Sequence, residues 1–221
     1  MTFAPSSDPA LRESRWPPAI ALVLVIAMLR MLPGHVVFLP IWTSYVCLLA
    51  VLVAMAAAAL TRRLPWLRVE HALIMLLGGI YVVNTGAELA DMVGAIALHP
   101  QGGNAYSLLS SAVGIWIANV VVFSMLYWQI DGGGPYGRAQ GVRRSPDWDF
   151  PRPGADVAGA GAGIPKYLDY LFLAYTTATA FSPTDASPYT RRAKMLMMLE
   201  SMISLVTLIF VLARAINVLP G

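Results

Sequence analysis

The chain has 221 residues, of which 57% are hydrophobic and only 12% are charged, and its formal net charge is +3. Because a soluble domain carries about a quarter charged residues, this composition excludes an ordinary soluble protein and predicts a polytopic membrane protein. The single cysteine, Cys47, excludes an intramolecular disulfide and a cysteine metal cluster. The small net charge also argues against nucleic acid as a partner.

The first half of the chain predicts a short tail followed by four membrane-spanning helices. Residues 1–15 are polar and predict a mobile cytoplasmic tail. Roughly 20 apolar residues suffice to cross a bilayer core. Apolar segments of that kind make a four-helix transmembrane region over 16–129, with helices expected at about 16–32, 36–60, 69–98 and 106–128.

A linker rich in glycine and proline follows, over residues 130–166. It is too polar and too broken to predict a packed element. Within it, the sequence DWDFP at 147–151 leaves two alternatives open. The segment either docks on the protein or the lipid headgroups, or forms a solvated loop, and the loop is the simpler interpretation.

The placement of basic residues predicts an orientation. Cytoplasmic loops of membrane proteins carry an excess of lysine and arginine. Here the loops around Gly34 and Gly102 have neither residue. The tail, the loop after the second segment and the linker hold Arg12, Arg15, Arg62, Arg63, Arg68, Arg138, Arg143, Arg144, Arg152 and Lys166. We therefore expect the N-terminus and the linker to be cytoplasmic.

The last unit, residues 167–221, consists of a short apolar segment, a break and a long apolar helix. The segment 167–182 would measure about 24 Å as a helix, which is short for a hydrocarbon core of about 30 Å. It therefore crosses obliquely, or it re-enters and leaves the C-terminus outside. The final helix is expected to begin with Ser187 as cap and Pro188 in its first turn. The predicted fold is all-α: a transmembrane bundle of five full spans plus one short re-entrant or obliquely crossing helix.

Two rows of polar residues lie within the predicted spans. Carboxylates there cost about 2.5 to 3.5 kcal/mol on insertion scales and so indicate functional sites. Asn84, Glu88 and Asp91 share one face of the third helix. Arg30 is expected at a similar depth, so both a structural ion pair and a cation or proton relay remain open. The last helix carries a second row, expected to face the interior or a pore: Glu200, Ser204, Thr207 and Arg214.

The C-terminal unit carries Thr177-Ala178-Thr179, Asp185, the sequence SPYTR at 187–191, Leu199-Glu200 and the sequence VLAR at 211–214. At these positions it resembles, in order, the pore helix, the aspartate after the filter, the turn and the inner helix of two-helix potassium channels. The resemblance implies a pore-like segment comprising Thr177, Thr179, Phe181, Ser182, Pro183, Thr184 and Asp185. AFSPT replaces TVGYG at 180–184, and the filter's glycines are absent, so potassium selectivity is not implied.

The same region also resembles a family of uncharacterised bacterial integral-membrane proteins. The GGGP turn at 132–135, FSPTD at 181–185 and ARAIN at 213–217 carry this resemblance. It implies a location in the bacterial inner membrane.

These observations lead to two hypotheses for the function. The first is a channel-like ion-permeation protein in the lipid bilayer, passing monovalent cations and forming a homo-oligomer because one such unit cannot surround a pore. The second is a non-transporting membrane scaffold or sensor, whose polar residues only bind helices together. We expect no enzyme activity, cofactor or metal site, because the sequence has no paired histidines, metal motif or nucleophile with a recognisable base.

Overall fold

The structure, a computed structural model, describes residues 14–31, 41–61, 63–98, 105–139, 145–151, 165–179 and 186–218. Its helices are α1 (Trp16–Met31), α2 (Ile41–Thr61), α3 (Leu64–Leu98), α4 (Ala105–Ile130), α5 (Gly134–Ala139), α6 (Tyr167–Ala178) and α7 (Arg191–Val218). Two short strands, β1 (Trp148–Asp149) and β2 (Ser187–Pro188), pair antiparallel. The predicted all-helical fold class is therefore confirmed.

Among the described residues, three helices are long and apolar enough to cross a membrane, with spans at 64–90, 112–138 and 191–212. They lie in α3, in α4 extended through α5, and in α7. The described apolar parts of α1 and α2 are shorter, at 16–28 and 49–61. The chain therefore has the helices of a membrane protein, although the described residues do not establish the predicted five full spans.

Helix α4 is the centre of the bundle. Of its apolar stretch 72% is buried, against 22% of the stretch in α3 and 28% of that in α7. It packs against α1, α3, α6 and α7. The side chains of Phe123, Tyr127 and Trp128 are almost fully buried. Because aromatic side chains bury the most apolar area, they dominate the packing of this core.

Helices α3 and α4 approach each other closely at Gly78. A methyl group built on Gly78 would lie 2.4 Å from Cδ2 of Leu126 and 3.0 Å from its Cγ. Gly79, the next residue, has nothing within 4 Å of the same position. The absent side chain at Gly78 therefore sets the distance between the two helices, as small residues do in membrane interfaces.

We expect Gly78→Ala to lower the free energy of unfolding by about 1–3 kcal/mol, because the buried Leu126 must move to make room. Gly79→Ala is the matched control and should cause no loss. Unfolding of both variants in mixed detergent micelles would measure the difference. Equal stabilities for the two variants would show that the contact does not set the helix spacing.

One end of the bundle, which we call the basic end, gathers the starts of α1, α3, α6 and α7 and the end of α4. Arg15 Nε lies 3.1 Å from Glu70 Oε2, and Gln129 Nε2 donates to Glu70 Oε1 at 3.4 Å. The lysines and arginines whose side chains are described all belong to this end: Arg15, Arg63, Arg68, Arg138, Lys166, Arg191, Arg192 and Lys194.

Helices α6 and α7 run parallel to each other and antiparallel to α4. Tyr167 at the start of α6 packs on Trp128 near the end of α4, whereas Ala178 O accepts from Trp116 Nε1 at 3.4 Å. Ser201 Oγ donates to Thr177 O at 3.5 Å, which places the eleventh residue of each helix at the same depth. With its 12 residues, α6 is only about 18 Å long.

Helix α7 begins later than the sequence predicts. Ser187 and Pro188 form β2 rather than the cap and first turn, so that prediction is wrong. Thr190 is the cap, since its Oγ1 accepts from the backbone N–H of Ala193 at 3.2 Å. Pairing with β1 holds Ser187 and Pro188 in extended backbone, and this delays the helix.

Candidate functional site

The segment 145–151 docks on the protein at the basic end. Asp147 is 0% exposed and Trp148 is 1% exposed. Trp148 pairs with Pro188 across the two strands, and Tyr189 N donates to Asp147 O at 2.8 Å. The sequence DWDFP therefore docks on the protein, and the prediction of a solvated loop is wrong.

Trp148 fills a pocket between α4 and α7. Its ring lies 4.9 Å from that of Tyr127, and its Nε1 donates to Met197 Sδ at 3.3 Å. Phe150 packs edge-to-face on Tyr170 of α6, with 5.1 Å between the ring centres. The docked segment therefore contacts α4, α6 and α7.

An ion pair fixes the docked segment to the start of α7. Arg192 Nε and Nη2 each donate at 2.6 Å, to Oδ1 and Oδ2 of Asp147 respectively. The Thr190 hydroxyl also donates to Oδ1, and Gly132 N donates to Oδ2 at 3.3 Å. A buried carboxylate is costly unless it is paired and hydrogen-bonded, and these four donors meet that requirement.

A second carboxylate, Asp131, joins α4 to α6 and to the docked segment. It is 4% exposed. Its Oδ1 accepts from Asp147 N at 2.7 Å, and its Oδ2 accepts from the Tyr170 hydroxyl at 2.6 Å. The turn after it needs glycine, because Gly132 and Gly134 have φ values of 61° and 70°. These contacts hold the short helix α6 against α4.

The prediction that 130–166 contains no packed element is therefore wrong for its described parts. Helix α5 and strand β1 both lie in it. Sequence reasoning missed Asp131 and Asp147 as anchoring residues. The three consecutive glycines after Asp131 were the available signal, since they mark a tight turn with a defined geometry.

The polar row on α7 lies in the interface with α4. Glu200 is 0% exposed, and Ser204 and Thr207 are each 1% exposed. The Tyr127 hydroxyl donates to Glu200 Oε2. Asn119 Nδ2 donates to Glu200 O at 3.2 Å and to Ser204 Oγ at 2.9 Å. The row faces the protein interior, which is one of the two expected positions.

Asn119 and Tyr127 were not singled out from the sequence. Both lie on α4 and both are fully buried, and they supply the polar partners of the α7 row. Their spacing of eight residues puts them on one face of the helix, roughly two turns apart. That spacing was the only sequence signal for them.

A further buried polar group at the basic end was also missed. Arg15 is 5% exposed and Glu70 is 0% exposed. Gln129 connects the pair to His71, since Gln129 Oε1 lies 3.1 Å from His71 Nδ1. The predicted mobile tail included Arg15, and for this residue the prediction is wrong. Residues 1–13 lie outside the described part of the chain.

The polar row on α3 is only partly described. Asn84 and Glu88 are half-buried, and Thr85 beside them is buried. The side chains of Asp91, Arg30 and Arg214 lie outside the described residues. A pairing of Arg30 with Glu88 or Asp91 therefore stays a prediction.

The pore-like segment is described only at its helical start. Thr177 Oγ1 donates to Leu173 O at 2.8 Å, and Thr179 Oγ1 donates to Tyr175 O at 2.9 Å. Both hydroxyls thus bond to carbonyls of their own helix. The remaining predicted members lie outside the described residues: Phe181, Ser182, Pro183, Thr184 and Asp185.

No known protein family, curated protein or solved structure matches this chain. The function is therefore argued from the geometry of the C-terminal half alone. That geometry combines a helix too short to cross a bilayer, a parallel long helix, and a buried carboxylate between that long helix and α4.

Proposed function

We propose that the protein is a channel-like ion-permeation protein of the bacterial inner membrane, in which α6 enters the bilayer and the chain returns to the same side. The observation that carries the proposal is that α6 and α7 both begin at the basic end. The chain leaves Thr179 at depth and is back at that end by Ala186, next to β2.

The lengths of the helices support re-entry over an oblique crossing. At about 18 Å, α6 falls well short of a hydrocarbon core of about 30 Å. Non-helical backbone at membrane depth requires shelter by protein or a water-filled cavity. The face of α6 towards α4 is well packed, since Leu173 is 2% exposed and Ala174 is 0% exposed. In this proposal α1, α2, α3, α4 and α7 make the five full crossings.

The position of the basic residues supports the orientation. Lysine and arginine are enriched on the cytoplasmic side. Because the described basic side chains gather at the basic end, this end faces the cytoplasm, together with the N-terminus. It follows that α6 enters from the cytoplasmic side, and that the C-terminus lies outside.

A reporter fused after residue 221 is expected to be active only on the outer side of the membrane. Alkaline phosphatase fused there should be active, and a fluorescent protein that folds only in the cytoplasm should be dark. Fusions after residue 151, in the docked segment, are the matched control and should give the opposite result. A fluorescent C-terminal fusion would mean that α6 crosses the membrane.

Permeation by monovalent cations requires several copies of the chain, since one α6–α7 unit cannot enclose a pore. Helix α6 has an apolar face that the described residues leave partly exposed. Leu168 is 63% exposed, Phe172 is 45% exposed and Tyr175 is 47% exposed. We propose that copies of the chain associate through α6 and α7, with residues 181–185 lining the path.

Ion flux into vesicles tests the proposal directly. Purified chain reconstituted into lipid vesicles should pass sodium or potassium down a gradient. Replacing residues 181–185 by an equal length of glycine and serine should abolish the flux. The matched control is the same replacement at 157–161, which should leave the flux intact. Absence of flux from the unchanged chain under either gradient would contradict the proposal.

A second candidate is the non-transporting scaffold or sensor. The observation that favours it is that the α6 hydroxyls and Asn119 bond to backbone carbonyls or to neighbouring helices. Such polar groups would then only hold helices together, each contributing about 0.6 kcal/mol. This candidate predicts a monomer in detergent and no flux, whereas the channel-like proposal predicts an oligomer and flux.

A further inference from the structure

The α4–α7 interface contains two buried oxygen atoms without hydrogen-bond partners among the described residues. One is Glu200 Oε1 and the other is Asn119 Oδ1. Both side chains are 0% exposed. Buried side-chain oxygens are normally satisfied, so each such exception calls for an explanation. A bound water, ion or proton is the usual one.

The orientation of the Asn119 amide is determined by its partners. Its nitrogen contacts Glu200 O and Ser204 Oγ at 3.2 and 2.9 Å. The backbone carbonyl can only accept, so the nitrogen must be on that side. The amide oxygen therefore points away from these two groups.

The charge of Glu200 has no counterpart in the described structure. Its described polar partner is the Tyr127 hydroxyl, and none of the described lysine, arginine or histidine side chains forms an ion pair with it. The titratable groups that face it are Tyr127 on α4 and Tyr81 on α3, neither of which carries a positive charge. A buried carboxylate without a counter-charge is very costly.

We propose that the carboxylate of Glu200, buried in the α4–α7 interface, binds one monovalent cation, either an alkali metal ion or a proton, at its unpartnered Oε1. Oxygen ligands suit hard cations, and Glu200 supplies the single negative charge. The proposal does not depend on ion flux, because a scaffold could contain the same site.

Two measurements on the purified full-length chain in detergent test the site. In the first, thermal unfolding is followed in sodium, potassium or choline chloride at equal ionic strength. A bound metal ion should raise Tm in sodium or potassium relative to choline, in a saturating manner. Glu200→Gln should lose this shift, whereas Asp149→Asn, at an exposed carboxylate of the docked segment, should keep it.

In the second measurement, infrared spectra identify a proton on the carboxyl group. A protonated Glu200 should give a carboxylic acid C=O band that moves in D₂O and disappears in Glu200→Gln. Either a salt-dependent Tm or this band supports the site and tells the two cations apart. If the unchanged chain shows the same Tm in all three salts and no carboxylic acid band, the proposal is overturned, whether or not the variant folds. Neither readout requires flux, so this proposal and the channel-like function can fail separately.

Discussion

Arg192→Ala is expected to lower the free energy of unfolding by about 3 kcal/mol, because it leaves the fully buried Asp147 without its counter-charge. This is the lower end of the range for breaking a buried ion pair. It is appropriate because the Arg192 side chain is 50% exposed, so that water screens part of the interaction. Unfolding in mixed detergent micelles measures the loss.

Two further variants separate the ion pair from general effects of charge. Arg191→Ala removes the same charge one residue earlier, from an exposed side chain, and should change stability by less than about 0.5 kcal/mol. Adding Asp147→Asn to Arg192→Ala should recover part of the loss, because the uncompensated charge is then gone. If the double variant is no more stable than Arg192→Ala, the loss does not come from the buried charge.

Trp148→Ala is expected to cost about 3–5 kcal/mol, the range for removing a large buried aromatic side chain. Trp148 is 1% exposed and contacts Tyr127 and Met197, so its removal leaves a cavity between α4 and α7. The same unfolding experiment measures this loss. We also expect the docked segment to become sensitive to protease in this variant.

Trp16→Ala is the matched control for Trp148. This tryptophan is 76% exposed at the start of α1, so its loss should change stability by only about 0.5 kcal/mol. A loss of similar size in the two variants would contradict the packing described for Trp148. It would indicate that the detergent, rather than the protein core, determines the effect.

The helices were predictable because apolar length is a local property of the sequence. The expected and observed ends of α1 near the non-basic end differ by one residue, and α6 begins at Tyr167 as expected. That Glu200, Ser204 and Thr207 share one face of α7 followed from helical spacing. Such features need no knowledge of which helix packs against which.

The anchoring of the docked segment could not be predicted in the same way. Asp147 pairs with Arg192, which lies 45 residues later in the chain. Tyr170 donates to Asp131, which lies 39 residues earlier. Glycine and proline around these residues are typical of loops, and they indicated solvent exposure. Arg15 and Glu70 are also far apart in the chain, by 55 residues, so their pairing could not be predicted from the sequence either. Only the three-dimensional packing brings these charges together.

The contact between Asp147 and Arg192 also imposes an order on the synthesis of the protein. The docked segment and α6 leave the ribosome before Arg192, which follows Asp147 by 45 residues. At 5–20 residues per second this delay is roughly 2 to 9 s. During it the carboxylate of Asp147 has no counter-charge and remains hydrated. The docked segment therefore acquires its ionic anchor only after the start of α7 has been synthesised.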